Sequence, residues 1–483
     1  MKLAWLVALA TLFPQSREEL DTKFVDKDAR ARRDAVIGYA KLDTLETWEK
    51  VVAALRDPKP EVADEAQLQL ASLAGPKELA LLYGKDALGS KDDFVRLRCA
   101  EVLGRLAETP DAAALDKALA DKDAGVRRTA CWSLERQKTA GKWASAAPEA
   151  LAELAKKDKS PEVRAAALVA LATCAGIDAA ALGGVAADAS GELRAACVVA
   201  ARALGPDVAF ARAAAAAKDA VLGVRLCAAE SFAAGRDARG ANALVDLLEG
   251  EKELRGRWRF VELLRELSGL AHRLDPRPWR AWAAALADGP LPEVRKPEAG
   301  EEERSVSFAG LPIRSERVTF LIDLSGSIWQ KRADGRTRKQ VLDEELGRAL
   351  RSLPPSTRFN LIPYTATPVP WQKGLVAADE KNVGKALEWF TGRKDTGVGD
   401  FWGALEVALA DPEADTLVVL TDGAPSGGRR WNLGLMKQLF AERNRFRRLE
   451  VNAVLADASG RLKRDWDELC GSSGGRTVEY SLR

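Results

Sequence analysis

The sequence predicts a multidomain chain, an all-α superhelical solenoid followed by an α/β doubly wound domain. Three observations carry this. A helical phrase recurs roughly every thirty residues through the first 290 residues or so. Pro, Gly and charge without apolar period interrupt the chain between 289 and 304. Beyond Arg317, short continuous apolar runs alternate with amphipathic segments, as in a sheet covered on both faces.

The first residues suggest a compartment. Met1-Lys2 precedes the apolar run Leu3–Phe13, and Pro14-Gln15-Ser16 stops it. One cation, an apolar stretch and a polar stop predict a secretory signal over residues 1–16 and an exported protein: periplasmic, cell-surface or extracellular. A buried or peripheral first helix is the alternative. The run is too short to span a bilayer and no later segment is apolar enough, so no stable membrane insertion is expected once the signal is removed.

The recurring phrase is an Asp, four residues, an aliphatic residue, an Arg, two residues and a small residue. Instances are Asp121…Val126-Arg127…Ala130, Asp158…Val163-Arg164…Ala167, Asp188…Leu193-Arg194…Cys197 and Asp219…Val224-Arg225…Ala228. Asp26…Ala31-Arg32…Ala35 comes earlier. Asp57…Val62 has Ala63 in the Arg place, Val95-Arg96 has Ser90 in the Asp place, and Leu254-Arg255 ends the series with Glu249. The aliphatic anchor, the small residue four on and a residue eight on share one helix face, as Val126, Ala130 and Leu134 do. No such unit buries its face alone, so the units stack, with Asp and Arg of adjacent repeats forming a ladder. These residues resemble HEAT repeats in their short form, and the resemblance implies a concave protein-binding surface over 17–287. A linker with a short β element is expected over 288–312.

In the last domain, buried strands are expected at 318–322, 358–364, 416–420 and 450–456, an edge strand around Pro370-Trp371, and a closing strand at 476–480. Helices are expected at 341–353, 382–390, 401–409, 431–446 and 462–470. Asp323-Leu324-Ser325-Gly326-Ser327 ends the first strand and Thr421-Asp422-Gly423 ends a central one. In open α/β sheets ligands gather at carboxyl strand ends. Two carboxylates and two hydroxyls there make an oxygen-only donor set suited to a hard cation. The alternative is that both Asp residues merely cap loops.

Phe320-Leu321-Ile322-Asp323-Leu324-Ser325-Gly326-Ser327 with Leu420-Thr421-Asp422-Gly423 resembles a von Willebrand factor type A domain over 313–483 and its metal-ion-dependent adhesion site. The resemblance implies Mg²⁺, or else Mn²⁺ or Ca²⁺, at Asp323, Ser325, Ser327 and Asp422, completed by a protein ligand's carboxylate. The family's Thr is not matched: Gly399 stands in its place. Thr396 reaching in, or Asp400 substituting, are the candidate replacements, and Asp400 also suits an N-cap.

Composition excludes much else. The 483 residues carry 73 Lys+Arg against 71 Asp+Glu, which argues against a nucleic-acid binder. A single His, His272, within a helical pattern, leaves His-based triads and His zinc sites unsupported. The six Cys show no Cys-x-x-Cys spacing, and five fall in the Ala-rich helices as buried small hydrophobes. Gly471-Ser472-Ser473-Gly474-Gly475 lacks the strand-to-helix setting of a nucleophile elbow. Arg443, Arg445, Arg447 and Arg448 suit a solvated helix end. The sequence therefore predicts an exported, non-enzymatic protein-binding scaffold. The alternatives are a metal-free structural scaffold, a hydrolase using the ion to activate water, or, if residues 1–16 are not a signal, a cytosolic partner of an AAA-type ATPase.

Overall fold

The computed structural model describes residues 16–108, 112–142, 147–295, 307–457 and 460–480. All but Ser16 of the expected signal lies outside the described residues, as does much of the expected linker. The chain divides into two compact units, 1–154 and 155–483.

In the first unit, paired helices follow the repeat phrase. The anchor, anchor+4 and anchor+8 residues Val126, Ala130 and Leu134 are all fully buried. Arg32 grips Asp57 of the next repeat through two bonds (2.7 and 2.8 Å), and Arg96 grips Asp121 likewise (2.7 and 3.0 Å). The Asp itself receives the amide two residues on, and the residue at that position caps the helix: Asp123 accepts from the Val126 amide. One rung is missing from both sides, because Ala63 replaces the Arg and Ser90 the Asp. In its neighbourhood a buried pair forms instead, Arg98 to Asp64 at 2.6 Å, with Gln67 also accepting from Arg98 at 2.9 Å.

The second unit continues the ladder. Arg164 meets Asp188 at 2.8 Å, Arg194 meets Asp219 at 2.6 and 2.8 Å, and Arg225 meets Glu251 at 2.8 and 2.9 Å. The sequence pointed to Glu249 for that last rung. Glu249 instead binds Arg280 (3.0 Å), and the rung comes from Glu251 two residues nearer the helix. A Glu is one methylene longer than an Asp and reaches from there. Trp279 is fully buried near the solenoid end and meets His272 edge-on at 5.0 Å. His272 lies in the loop between helices Leu254–Ser268 and Pro276–Ala284, not within a helix. All six Cys are buried. Burial pushes the Cys99 thiol up to about 12 and Cys197 up to about 11, so neither is a thiolate at neutral pH.

The α/β domain opens with a small hairpin, β1 (Ser307–Phe308) and β2 (Leu311–Pro312). Six strands follow: β3 (Arg317–Asp323), β4 (Arg358–Tyr364), β5 (Val376–Ala377), β6 (Thr416–Thr421), β7 (Glu450–Ala456) and β8 (Thr477–Tyr480). Their order is β5-β4-β3-β6-β7-β8, parallel except for β5. Alternate residues feed two cores. Val318, Phe320 and Ile322 pack under helices Arg338–Ser352 and Glu380–Thr391. Leu321, Val419 and Leu455 pack under Phe401–Ala410, Leu433–Arg443 and Gly460–Gly471. Burial on both faces is why these strands read as unbroken apolar runs. The edge strand is Val376–Ala377 rather than Pro370-Trp371. Two prolines, Pro368 and Pro370, deny the ladder donors, so that segment gives only the Val369 and Trp371 amides to β4 (3.2 and 2.8 Å).

Within the second unit, the last repeats pack on the amino ends of the strands. A Cβ on Gly223 would stand 2.9 Å from the carbonyl oxygens of Phe446 and Arg447, so the helix Leu222–Gly235 touches the main chain before β7 directly. Arg448 pairs with Glu230 (2.8 Å) and Arg255 with Glu450 (3.3 Å). Arg314 stacks on Trp258 with its guanidinium 4.0 Å from the ring centre. Arg317, the first residue of β3, binds Asp415 (3.0 Å) and also Glu253, which in turn binds Arg225. The repeat ladder thus runs into the sheet. Arg447 and Arg448 belong to this junction, not to a solvated helix end: Arg447 donates to the carbonyls of Asp411 (2.6 Å) and Ala414 (3.2 Å). The main chain at 289–291, expected as free linker, bonds to the solenoid through Leu291 to Arg236 (2.7 Å) and Ala238 to Gly289 (3.2 Å).

Candidate functional site

The sheet order reverses between β3 and β6, so a crevice opens where both strands end. Register then decides what lines it. Tyr364, Asp323 and Thr421 lie side by side across β4, β3 and β6, one row at the carboxyl edge. Asp323 is 4% exposed. Its Oδ1 accepts from the Ser325 amide (2.8 Å) and its Oδ2 from the Thr421 hydroxyl (2.9 Å). Burial pushes the Asp323 carboxyl up, against the bonds from Ser325 and Thr421. Tyr364 sits beside it, with its hydroxyl buried and without a hydrogen bond of good geometry.

The loop after β3 folds into a short 3₁₀ turn, Gly326–Trp329, which brings Ser325 Oγ and Ser327 Oγ within 3.2 Å. Ser327 donates to Asp422 Oδ1 at 2.8 Å. Four of the six residues singled out in the sequence, Asp323, Ser325, Ser327 and Asp422, therefore converge. Thr396 lies beside the loop: its Oγ1 is 3.9 Å from where a Cβ on Gly326 would stand, and the Gly326 amide donates to the Gly397 carbonyl (3.0 Å). Asp400 has a different task. It caps the helix Phe401–Ala410 by accepting from Gly403 (2.8 Å), and its carboxylate packs so closely on Gly428 that a Cβ there would overlap it. Gly428 has φ +80°, a conformation that also favours glycine. Gly399 lies against Asp323: a Cβ on it would stand 3.3 Å from Asp323 Oδ1.

Two residues were missed in the sequence. Thr421, just before Asp422, holds Asp323 in place. Arg338 donates to Asp422 Oδ2 at 3.0 Å and lies 3.6 Å from Asp457. It is the first residue of its helix, whose start is marked by the capping box of Thr337 and Gln340. Nothing local told that its side chain would reach a residue 84 positions away.

These residues fit a hard cation. The donors are oxygens only, two acids and two hydroxyls, gathered on one loop and one strand end. Arg338 partly neutralises the second acid, which lowers the attraction for a cation. Among the described residues no group of three or more His, Cys, Asp or Glu comes together that could hold a metal, so the hydroxyls are essential to any such site.

Comparison with known proteins agrees with this reading of the two parts. The HEAT repeat family model matches residues 85–172. A 130-residue stretch is 31% identical to inter-alpha-trypsin inhibitor heavy chain 4 of Mus musculus, covering 24% of this chain and 13% of that protein. A 167-residue stretch is 25% identical to human von Willebrand factor A domain-containing protein 3B, covering 35% of this chain and 12% of that protein. Among solved structures, a von Willebrand factor type A protein from Catenulispora acidiphila is 17% identical with a TM-score of 0.29, covering 35% of this chain and 39% of that one. The chain thus spans about an eighth of the length of those two curated relatives. Its architecture is a helical-repeat solenoid, HEAT-like over residues 85–172, followed by an α/β doubly wound domain similar in sequence to part of von Willebrand factor A domain-containing protein 3B. No helix among the described residues is long and apolar enough to cross a membrane.

Proposed function

We propose that the chain is an exported, non-enzymatic protein-interaction scaffold whose A-type domain binds a protein ligand through a divalent cation. Asp323, Ser325, Ser327 and Asp422 hold the ion, Mg²⁺ ahead of Mn²⁺ or Ca²⁺, and the solenoid gives a second protein surface. The observation that carries this is the convergence of those four side chains at one end of the sheet, opposite the end that meets the repeats. β3 is seven residues long, so roughly 20 Å separates the solenoid junction from the site. The last repeats therefore leave the site open to another molecule. A bound divalent ion with hydroxyl ligands keeps positive charge to spare, which attracts a carboxylate from the partner.

Calorimetric titration of Mg²⁺, Mn²⁺ and Ca²⁺ into the full chain tests the ion. Saturable heat that is lost in Asp422→Ala is the expected result. Pull-down from an envelope fraction with and without EDTA tests the bridge, and unchanged capture in EDTA rejects it. N-terminal sequencing of the mature protein tests export; an intact Met1 favours the cytosolic alternative, partnership with an AAA-type ATPase.

A second reading has its own support. Arg338 on Asp422, together with the missing side chain at Gly399, favours a site that is complete without metal. Titration without heat, in a chain that still captures its partner, selects that reading.

A further inference from the structure

At the other end of the sheet, inside the second unit, a polar cavity of about 310 Å³ lies between the last repeats and the turn Gly471–Gly475. We propose that it binds a small tetrahedral oxyanion, a phosphate or phosphomonoester, which ties the A-type domain to the solenoid. The proposal is independent of the cation site.

Arg255 is the residue on which the site turns. Its side chain is 2% exposed and lines the cavity, yet its Nε and Nη1 have no hydrogen-bond partner. Glu450 Oε2 forms an ion pair with Nε at 3.3 Å without hydrogen-bond geometry, and Glu450 Oε1 accepts from Asn452 at 2.8 Å. An almost fully buried guanidinium with unmet N–H groups is costly. The wall has three other acids, and Glu266, the most exposed of them, lies 3.7 Å from Arg259. Glu230 holds Arg448 (2.8 Å) and Arg259 (3.4 Å), and Glu262 holds Arg265 and Arg314 (3.3 Å each).

The lining itself matches three arginines with Glu230, Glu262 and Glu266, and further arginines lie just behind it. Burial pulls the Arg314 guanidinium down to about 10, with nearby Arg476 pushing the same way and Glu262 opposing. Burial likewise lowers Arg202, with Arg448 and Arg445 adding to it against Glu230. Three arginines, Arg255, Arg259 and Arg448, line one partly open space. The planar guanidinium fork matches phosphate oxygens in pairs. The Gly-rich turn lets them approach: Arg259 Nη1 lies 3.6 Å from where a Cβ on Gly474 would stand. The volume equals about ten waters at roughly 30 Å³ each, enough for an oxyanion with waters or for a small phosphomonoester.

Thermal melts of the full-length protein test this, in chloride buffers of matched ionic strength with added inorganic phosphate or glycerol phosphate. Phosphate at about a hundredfold above its dissociation constant is expected to raise Tm by about 3 °C, saturably, where chloride does not. Arg255→Met removes the response. Arg259→Gln, a more exposed position that keeps the test valid should Arg255→Met not fold, weakens it at least fivefold. Arg338→Gln, at the far end of the sheet, leaves it intact. The stronger of the two phosphates identifies whether the occupant is a free ion or an ester. No rise beyond chloride with either phosphate, or an undiminished response in the folded Arg255 or Arg259 variants, overturns the proposal.

Discussion

In the repeats, Asp219 meets the guanidinium of Arg194 through two bonds; at the sheet end, Asp323 meets an amide and a hydroxyl but no cation. Both carboxylates are largely buried, and their acidities move in opposite directions. Burial pushes Asp219 up, but the Arg194 bond, the Val221 amide and the charges of Arg194 and Arg225 outweigh it and hold the carboxyl below its ordinary range. Burial wins at Asp323, and neighbouring Asp422 adds to it. A carboxylate with a dedicated counter-charge stabilises the fold. One set in the interior without a counter-charge is a cost that a fold keeps where something else supplies the charge.

Paired Asn substitutions are the sharpest way to break that contrast. In EDTA, Asp219→Asn is expected to lose about 1–3 kcal/mol, because it leaves Arg194 partly buried and facing a neutral amide. Asp323→Asn is expected to stay within about 0.5 kcal/mol of wild type, since Asn Oδ1 still accepts from the Ser325 amide and Nδ2 can donate to the Thr421 hydroxyl oxygen, whose proton turns to the Gly423 carbonyl. Equal losses in thermal melts would make Asp323 a structural residue. The ladder also sets a pH dependence. Asp188 and Asp219 have folded-state acidities below the unfolded value near 3.9, so their contribution is present above about pH 4 and fades as pH falls through the folded values. Asp219→Asn should therefore flatten the acid limb of a stability-against-pH curve.

Arg338 is the exception that makes the site resemble the ladder. At 3.0 Å from Asp422 it acts as a resident cation beside the proposed ion position. Arg338→Gln removes one positive charge within a few ångströms of a bound divalent ion. In a partly screened site that is worth about a tenfold gain in Mg²⁺ affinity by calorimetry. Unchanged or weaker affinity would mean that Arg338 orients Asp422 rather than opposing the ion.

The same contrast explains what the sequence could tell. The repeats were legible because their chemistry is periodic: Asp and Arg recur at fixed offsets, and their pairing follows from stacking alone. Even the absent rung is written twice, as Ala63 and Ser90. The residues Asp323, Ser325 and Ser327 were legible because a short loop holds them together. Arg338 and Thr421 were not, since they join the site only through strand register and helix placement. The junction arginines misled for a related reason. Arg447 and Arg448 sit at a helix end where cations are ordinarily solvated, and only the repeats packed against them make them interior. Pro370-Trp371 misled because its apolar and aromatic character suited an edge strand, whereas its prolines withheld the ladder's donors.

The smallest expected effects concern the loop that departs from the family pattern. Gly399 stands where the Thr is expected, and Asp400 beside it is one of the two candidate replacements, with Thr396. The geometry separates them. Asp400 spends its carboxylate on the Gly403 amide, so Asp400→Ala should cost about 1 kcal/mol of stability, as N-caps do, and leave Mg²⁺ affinity unchanged. Gly399 lies against Asp323 with no positive φ to forbid a side chain. Gly399→Thr would set a hydroxyl beside the carboxylate, at the cost of a tight 3.3 Å approach of its Cβ to Oδ1. A few-fold gain in Mg²⁺ affinity is expected, small because Asp323 must shift by a few tenths of an ångström to admit it. If Asp400→Ala abolishes the heat of Mg²⁺ binding while Gly399→Thr does nothing, the acid at 400 has left its cap to become a ligand, and the site is more acidic than its hydroxyl-rich geometry implies.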